Sequence, residues 1–256
     1  MNKNNLFRDA EHYHNNAIIQ HELSVKVIHS IDINNPEKIL DIGSGDGTVT
    51  QYLNEHFQGH VSGIDISLPM LEFATDRWKE NVDVSFQHGD AISFRSVTKF
   101  DLITSFNCLH WVSPIEQALN NIHSLLSNNG TFIGLVYPRC ESIWLPAESL
   151  ESHPKWCKHF ADFTNPYQFL TADDYRIQLH QAGFSSIKVE QNTYQKQFNS
   201  STQFLHYIQS WLPHCNHLDP SLRNEFIHDW HLLFSEMNPF GPKVLEYDSI
   251  TFACHR

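Results

Sequence analysis

Residues 37–47, Glu37-Lys-Ile-Leu-Asp-Ile-Gly-Ser-Gly-Asp-Gly47, constrain this chain more than any other stretch. Ile39, Leu40 and Ile42 predict a short buried strand, with Asp41 interrupting it near its carboxyl end. Gly43, Gly45 and Gly47 then alternate, and an amphipathic run starts at Thr48. A strand that enters a glycine loop and then a helix is a cradle for a nucleotide-like cofactor. Glycine lets the backbone come close to a ligand, and the helix start offers free N–H groups. The plain alternative is a glycine loop formed by chance. The spacing departs from the G-x-G-x-x-G fingerprint of dinucleotide sites. The third glycine comes one position early, and Thr48 stands where that pattern needs glycine. Asp41, two residues before the first glycine, would repel a pyrophosphate and favour a cation.

The D-x-G-x-G-x-G run resembles motif I of class I S-adenosylmethionine-dependent methyltransferases, with Ser44 the less common choice at its position. That resemblance implies that Asp41, Gly43, Ser44 and Gly45 hold the methionine end of the cofactor, whose sulfonium is positive. Val61–Asp65 reads as a second strand, and its acid falls 18 residues beyond Gly47. At that distance from a glycine loop, a carboxylate accepts hydrogen bonds from ribose hydroxyls. The other role open to Asp65 is that of an acid at a helix N-terminus, since Ser67 reads as the next helix cap. The run Gly63–Leu71 resembles motif II of the same family, which implies that Ile66 and Met70 flank the adenine or ribose. Gly89-Asp90-Ala91, after a third strand, would by the resemblance close on adenine. Ser105, ending a fourth strand, is placed with the cofactor residues.

The remaining pattern alternates strands and helices. Strands are predicted at 39–42, 61–65, 82–87, 100–105, 131–137, 187–192 and 245–254, and helices at 14–31, 48–57, 69–78, 114–126 and 172–182. This argues an α/β fold, a doubly wound, mostly parallel seven-stranded sheet of the Rossmann-like class I methyltransferase kind, in one domain over 1–256. Residues 14–137 are its cofactor half, and 171–194 and 241–256 complete the sheet. Residues 1–13 read as a polar, mobile arm, and Asn128-Asn129-Gly130 as a turn. The aromatic-rich segments 138–170 and 195–240 are too long for connecting loops, and read either as a helical lid or as an outlying part of the core.

Composition removes several function classes. The formal net charge is −12 and no basic run appears, which disfavours a nucleic-acid partner. The 5 cysteines are dispersed without a C-x-x-C, which suits a reducing cytosol. No signal-peptide core opens the chain, and no stretch is long and apolar enough to span a bilayer. The 18 histidines include the pairs His12/His14, His214/His217 and His228/His231, but these lack acidic or Cys partners at metal-motif spacing. They read as solvated surface, and no metal is expected.

The resemblance extends past the cofactor half. Phe100–Val112, Asn165-Pro-Tyr167 with Tyr175 and Gly183-Phe184, and Leu218–Trp230 resemble insect juvenile hormone acid methyltransferases, as do Tyr13 and Gln20 in their spacing. Half-signatures are shared with trans-aconitate and malonyl-carrier-protein methyltransferases. All three families methylate carboxylates, and the resemblance implies that Gln20 and Trp111 hold the acceptor carboxylate of a small acid. Asn165-Pro-Tyr167 is similar to the motif of adenine amino-methyltransferases but is misplaced for it, since that motif follows strand four directly. His110 is the candidate base for a hydroxyl or amine acceptor, or a neutral histidine packed under the cofactor. Besides a methyltransferase for small apolar acids, the residues leave open one for hydroxyls or amines and a non-catalytic cofactor-binding module. They leave the oligomeric state open as well.

Overall fold

The computed structural model describes residues 7, 9–33 and 35–256. Its sheet has seven strands: β1 (Lys38–Ile42), β2 (His60–Asp65), β3 (Val84–His88), β4 (Phe100–Phe106), β5 (Leu126–Val136), β6 (Ser185–Gln197) and β7 (Val244–His255). The spatial order is β3-β2-β1-β4-β5-β7-β6, and only β7 runs antiparallel to its neighbours. Four of the five residues of β1 are buried, as expected of a central parallel strand covered on both faces. Helices cover the two faces. On one lie α2 (Ile18–His29) and α3 (Thr48–Phe57), through Ile19, Leu23, Ile28, Leu53 and Phe57. On the other lie α5 (Ile115–Leu125) and α7 (Ala172–Gln181), through Ala118, Leu119, Ile122, Tyr175 and Leu179. Helix α4 (Leu68–Trp78) connects β2 to β3, capped by Ser67 as expected. A capping box opens α7, with the Thr171 hydroxyl and Asp174 carboxylate bonding each other's backbone N–H.

Three expectations change. The helix expected at 14–31 is two helices, α1 (Ala10–Asn16) and α2, broken at Ala17, so part of the expected mobile arm is helical. Residues 1–6 and 8 of that arm lie outside the described residues. The turn at 128–130 is absent because β5 starts at Leu126, with a register shift against β4 between Phe100 and Leu102 absorbing the polar residues. The segment 138–170 contains α6 (Glu141–Ser152), obscured in the sequence by Pro146 inside the helix.

Helices α6, α8 (Ser201–Trp211), α9 (Pro213–His217) and α10 (Arg223–Met237) build the insert above the sheet. Trp144, Trp156, Phe204, Phe226, Trp230 and Phe234 are fully buried there, in one apolar cluster with Ile39 and Leu102 of the sheet. The insert is therefore an extension of the core, and it also roofs the carboxyl edge of the strands. Val136 at the end of β5 pairs with Ile250, so the start of β7 overhangs the sheet as a ribbon with β6. Leu245 and Tyr247 of that ribbon face the space beneath the roof.

Candidate active site

The carboxyl ends of β1 to β4 open into a cavity of about 1070 Å³, mouth included. Gly43 and Gly45 form one wall, Asp65, Ile66 and Met70 the next, and Asp90 and Ala91 the far end. The loop is stitched to β2, since the Gly43 and Ser44 N–H groups both donate to the Ile64 carbonyl at 2.8 and 3.0 Å. Gly45 N–H donates to Asp65 Oδ2 at 2.9 Å, and Ser67 N–H donates to Asp65 Oδ1 at 2.8 Å. Each oxygen thus has one fixed backbone donor and retains a lone pair for a ligand. Burial raises the Asp65 carboxyl despite these donors. Two glycines of the loop differ in purpose. A Cβ on Gly45 (φ +53°) would meet nothing within 4 Å and enter open space, whereas one on Gly47 (φ +78°) would lie 2.6 Å from the Phe86 ring and 2.7 Å from the Trp78 ring.

Asp41, Ser44 and Ser105 are placed otherwise than expected, behind the wall rather than in it. Asp41 is buried and accepts from the Thr50 and Thr104 hydroxyls at 2.7 and 2.9 Å. Burial pushes its carboxyl up to about 6, against those two hydrogen bonds. The Ser105 hydroxyl donates to the Ile42 carbonyl at 3.0 Å. Ser44 is buried beside Gly63, where an added Cβ would meet the Ser44 Cβ at 2.8 Å. Strand alternation sends the Asp41 and Ser105 side chains into the packed interior, the loop turns Ser44 toward Gly63, and the cavity meets the loop through glycine backbone.

Sequence reasoning assigned no role to Asp46. It is buried, and His14 Nδ1 and His21 Nε2 approach its Oδ2 at 2.6 and 3.4 Å, while Thr48 bonds it through N–H and hydroxyl at 3.1 and 2.9 Å. Burial pushes this carboxyl up, but the bonds from His14 and His21 more than offset it and hold it well below the usual range. The cluster fastens α1 and α2 to the glycine loop. Its only trace in the sequence is an acid inside the glycine run. The histidine pairs do not converge. His214 is fully buried against Glu151 at 2.7 Å, His217 bonds the His159 carbonyl and His231 the Pro242 carbonyl, so the reading of these pairs as solvated surface fails for His214.

A second cavity, of about 560 Å³ with its mouth, abuts the first and shares Phe7, Tyr13, Asn107 and Trp111 with it. Gln20 and His110 line it, and Tyr137, Trp144, Tyr167 and Trp211 give it aromatic walls. The structure thus brings Gln20, His110 and Trp111 together around one space. Gln20 Oε1 and His110 Nδ1 are buried there without a partner among the described residues. His110 stacks on Tyr167 with ring centres 4.6 Å apart, and burial alone lowers its pKa to about 3, so it is neutral at physiological pH.

Residues 39–130 match the methyltransferase domain family. The chain carries a methyltransferase domain of the S-adenosylmethionine-dependent kind. It is 25% identical to the juvenile hormone acid O-methyltransferase of Drosophila melanogaster over 214 residues, covering 79% of this chain and 72% of that one. It is 26% identical to the malonyl-[acyl-carrier protein] O-methyltransferase of a Paenibacillus strain over 185 residues, covering 68% and 64%. The phosphoethanolamine N-methyltransferase 2 of Haemonchus contortus, solved with S-adenosylhomocysteine, shares the fold at TM-score 0.60 and 15% identity over 93% of this chain and 52% of that one. The first cavity fits the methyltransferase cofactor in its donor set. Among the described residues two carboxylates and no Lys, Arg or His line it, which suits a sulfonium, a ribose diol and an amine, and would repel phosphates.

Proposed function

We propose that this methyltransferase acts on a carboxylate oxygen of a small, largely apolar acid. The observation that carries the reading is the wall of the second cavity, where aromatic rings stand with the neutral groups of Gln20, Asn107 and His110, the one carboxylate, Asp248, already accepts from Gln191 and Thr193, and no Lys or Arg stands among the described residues. The cofactor, when bound, supplies an activated methyl group on a positively charged sulfur. In this reading Asp65 takes the ribose hydroxyls, Asp90 the adenine amine, and Ile66, Met70 and Ala91 pack the adenosine. A carboxylate, with a pKa of about 4, is already ionised at neutral pH and needs no base. It needs donors that orient it without quenching it, and the Gln20 amide and Trp111 indole are neutral donors. The unpartnered position at Gln20 Oε1 takes an N–H once the amide is turned, since amide O and N are told apart by their partners. The aromatic roof excludes water from both reactants. The names of the two relatives above, both O-methyltransferases of acids, support the acceptor class.

A second reading has a specific observation behind it. Two buried acceptors without partners, Gln20 Oε1 and His110 Nδ1, suit an acceptor that carries its own proton, such as a hydroxyl or amine. Against it stands His110, whose conjugate acid at about 3 makes it a poor base. Transfer of labelled methyl onto a panel of fatty, isoprenoid and polycarboxylic acids, with phenols and amines beside them, separates the two. Turnover on acids supports the first reading. Turnover confined to phenols or amines overturns it.

A further inference from the structure

Asn107, the first residue beyond β4, stands in the wall shared by the two cavities. Its φ is +60°, in the left-handed region that Asn tolerates better than other residues with a side chain. Its N–H donates to the Leu135 carbonyl at 2.8 Å, as if β4 ran one residue further. The left-handed turn then sends the chain into the short 3₁₀ segment Leu109–Trp111, which carries His110 and Trp111. A backbone held there needs surroundings that fix it.

The side chain supplies part of that fixing. The Tyr137 hydroxyl donates to Asn107 Oδ1 at 2.7 Å, and Asn107 Nδ2 donates to Ser24 Oγ at 3.1 Å. Ser24 is fully buried and stands four residues after Gln20 on α2, on the same helix face. One amide therefore joins the three elements that present Gln20, Trp111 and Tyr137 to the second cavity. Ser24 itself lines neither cavity.

We propose that Asn107 is a positioning residue for methyl transfer. The chain Tyr137–Asn107–Ser24 sets the spacing of Gln20 from Trp111, and through it the seating of the acceptor against the cofactor. This rests on the proposed function only in placing the acceptor in the second cavity, and holds for any head group.

The test uses Asn107→Gly, which keeps the left-handed backbone and removes the amide, and Ser24→Ala, which cuts the same link from a residue outside both cavities. Kinetics are run with the panel acceptor that the wild type turns over fastest, and S-adenosylhomocysteine binding is measured by calorimetry. Asn107→Gly is expected to lower kcat/KM for the acceptor at least tenfold, and Ser24→Ala to raise its KM at least fivefold. S-adenosylhomocysteine affinity is expected to stay within twofold in Ser24→Ala, whose residue lines neither cavity, and the double variant to be no worse than Asn107→Gly alone. Asn107→Asp keeps both bonds, because the Ser24 hydroxyl can turn to donate, and restores kcat/KM on a neutral acceptor. Variants that melt at lower temperature but keep acceptor kcat/KM within twofold overturn the proposal. So does an equal loss of cofactor and acceptor binding. The wild-type acceptor profile alone reports on the carboxylate reading, so the two failures are distinct.

Discussion

Two single residues behind the cavity carry opposite consequences. Asp41 has a carboxyl raised by burial to about 6, so the native state holds its proton where the unfolded chain has lost it. A carboxylate raised in this way costs stability as pH rises through the window from 3.8 to about 6. Asp41→Asn should then stabilise the ligand-free protein above pH 6, by up to about 3 kcal/mol for a shift of about two units, and change nothing below pH 3.8. The same change removes a negative charge behind the proposed sulfonium seat. Affinity for S-adenosylmethionine should fall more than affinity for the uncharged S-adenosylhomocysteine, and equal losses in calorimetry would remove the electrostatic role of Asp41. The glycines make a second contrast. Gly45→Ala should fold and lose cofactor binding, because its methyl enters open cavity, whereas Gly47→Ala should lose thermal stability first, because its methyl strikes two rings. His110→Gln should keep the rate within about tenfold and leave its pH dependence between pH 6 and 9 unchanged, where loss of a true general base costs about 100-fold or more.

At the scale of elements, the glycine loop is joined to the N-terminal helices through one carboxylate. Asp46→Asn removes the partner of His14 and His21 and should destabilise the protein by about 1–3 kcal/mol, the cost of leaving buried polar groups unmatched. Denaturant unfolding would measure it, and an unchanged midpoint would show that α1 and α2 dock through apolar contacts alone. The elements also show where sequence was legible. From β1 to α5, strands and helices were read within one or two residues, because period-two and period-3.6 patterns there coincide with glycine and cap signals. Helix α6 was missed because Pro146 argues locally against a helix, while tertiary burial of Trp144, Ala147 and Leu150 overrides it. The residues assigned to the cofactor by motif fell into two groups only in three dimensions. Gly43, Gly45, Asp65, Ile66, Met70, Asp90 and Ala91 line the cavity, while Asp41, Ser44 and Ser105 support it from behind. The links from Asp46 to His14, 32 positions away, and from Asn107 to Tyr137, 30 positions away, form only through packing, and no local pattern announces such pairings.

For the whole molecule, four titrating groups shape the response to acid. His110 is neutral when folded down to about 3 and takes a proton near the ordinary histidine value of 6.5 when unfolded, so its contribution is lost as pH falls between these values. Asp41, and Asp65 pushed the same way, gain from acidification above 3.8 and offset that loss. Asp46, depressed, loses its contribution only as pH falls below 3.8. The melting temperature should therefore stay level or rise slightly from pH 6 to about 4 and then drop steeply. A steady decline from pH 6 would show that other groups govern the acid response.

The fold as a whole presents two adjoining chambers at one edge of the sheet, one acidic and one aromatic, and the account depends on the first receiving adenosine against Asp65. Calorimetric titration of S-adenosylhomocysteine into the wild type and Asp65→Ala tests this most directly. Two charge-assisted hydrogen bonds are worth about 3 kcal/mol or more together, so the variant should bind at least about a hundredfold more weakly. Affinities within twofold of each other would contradict the account.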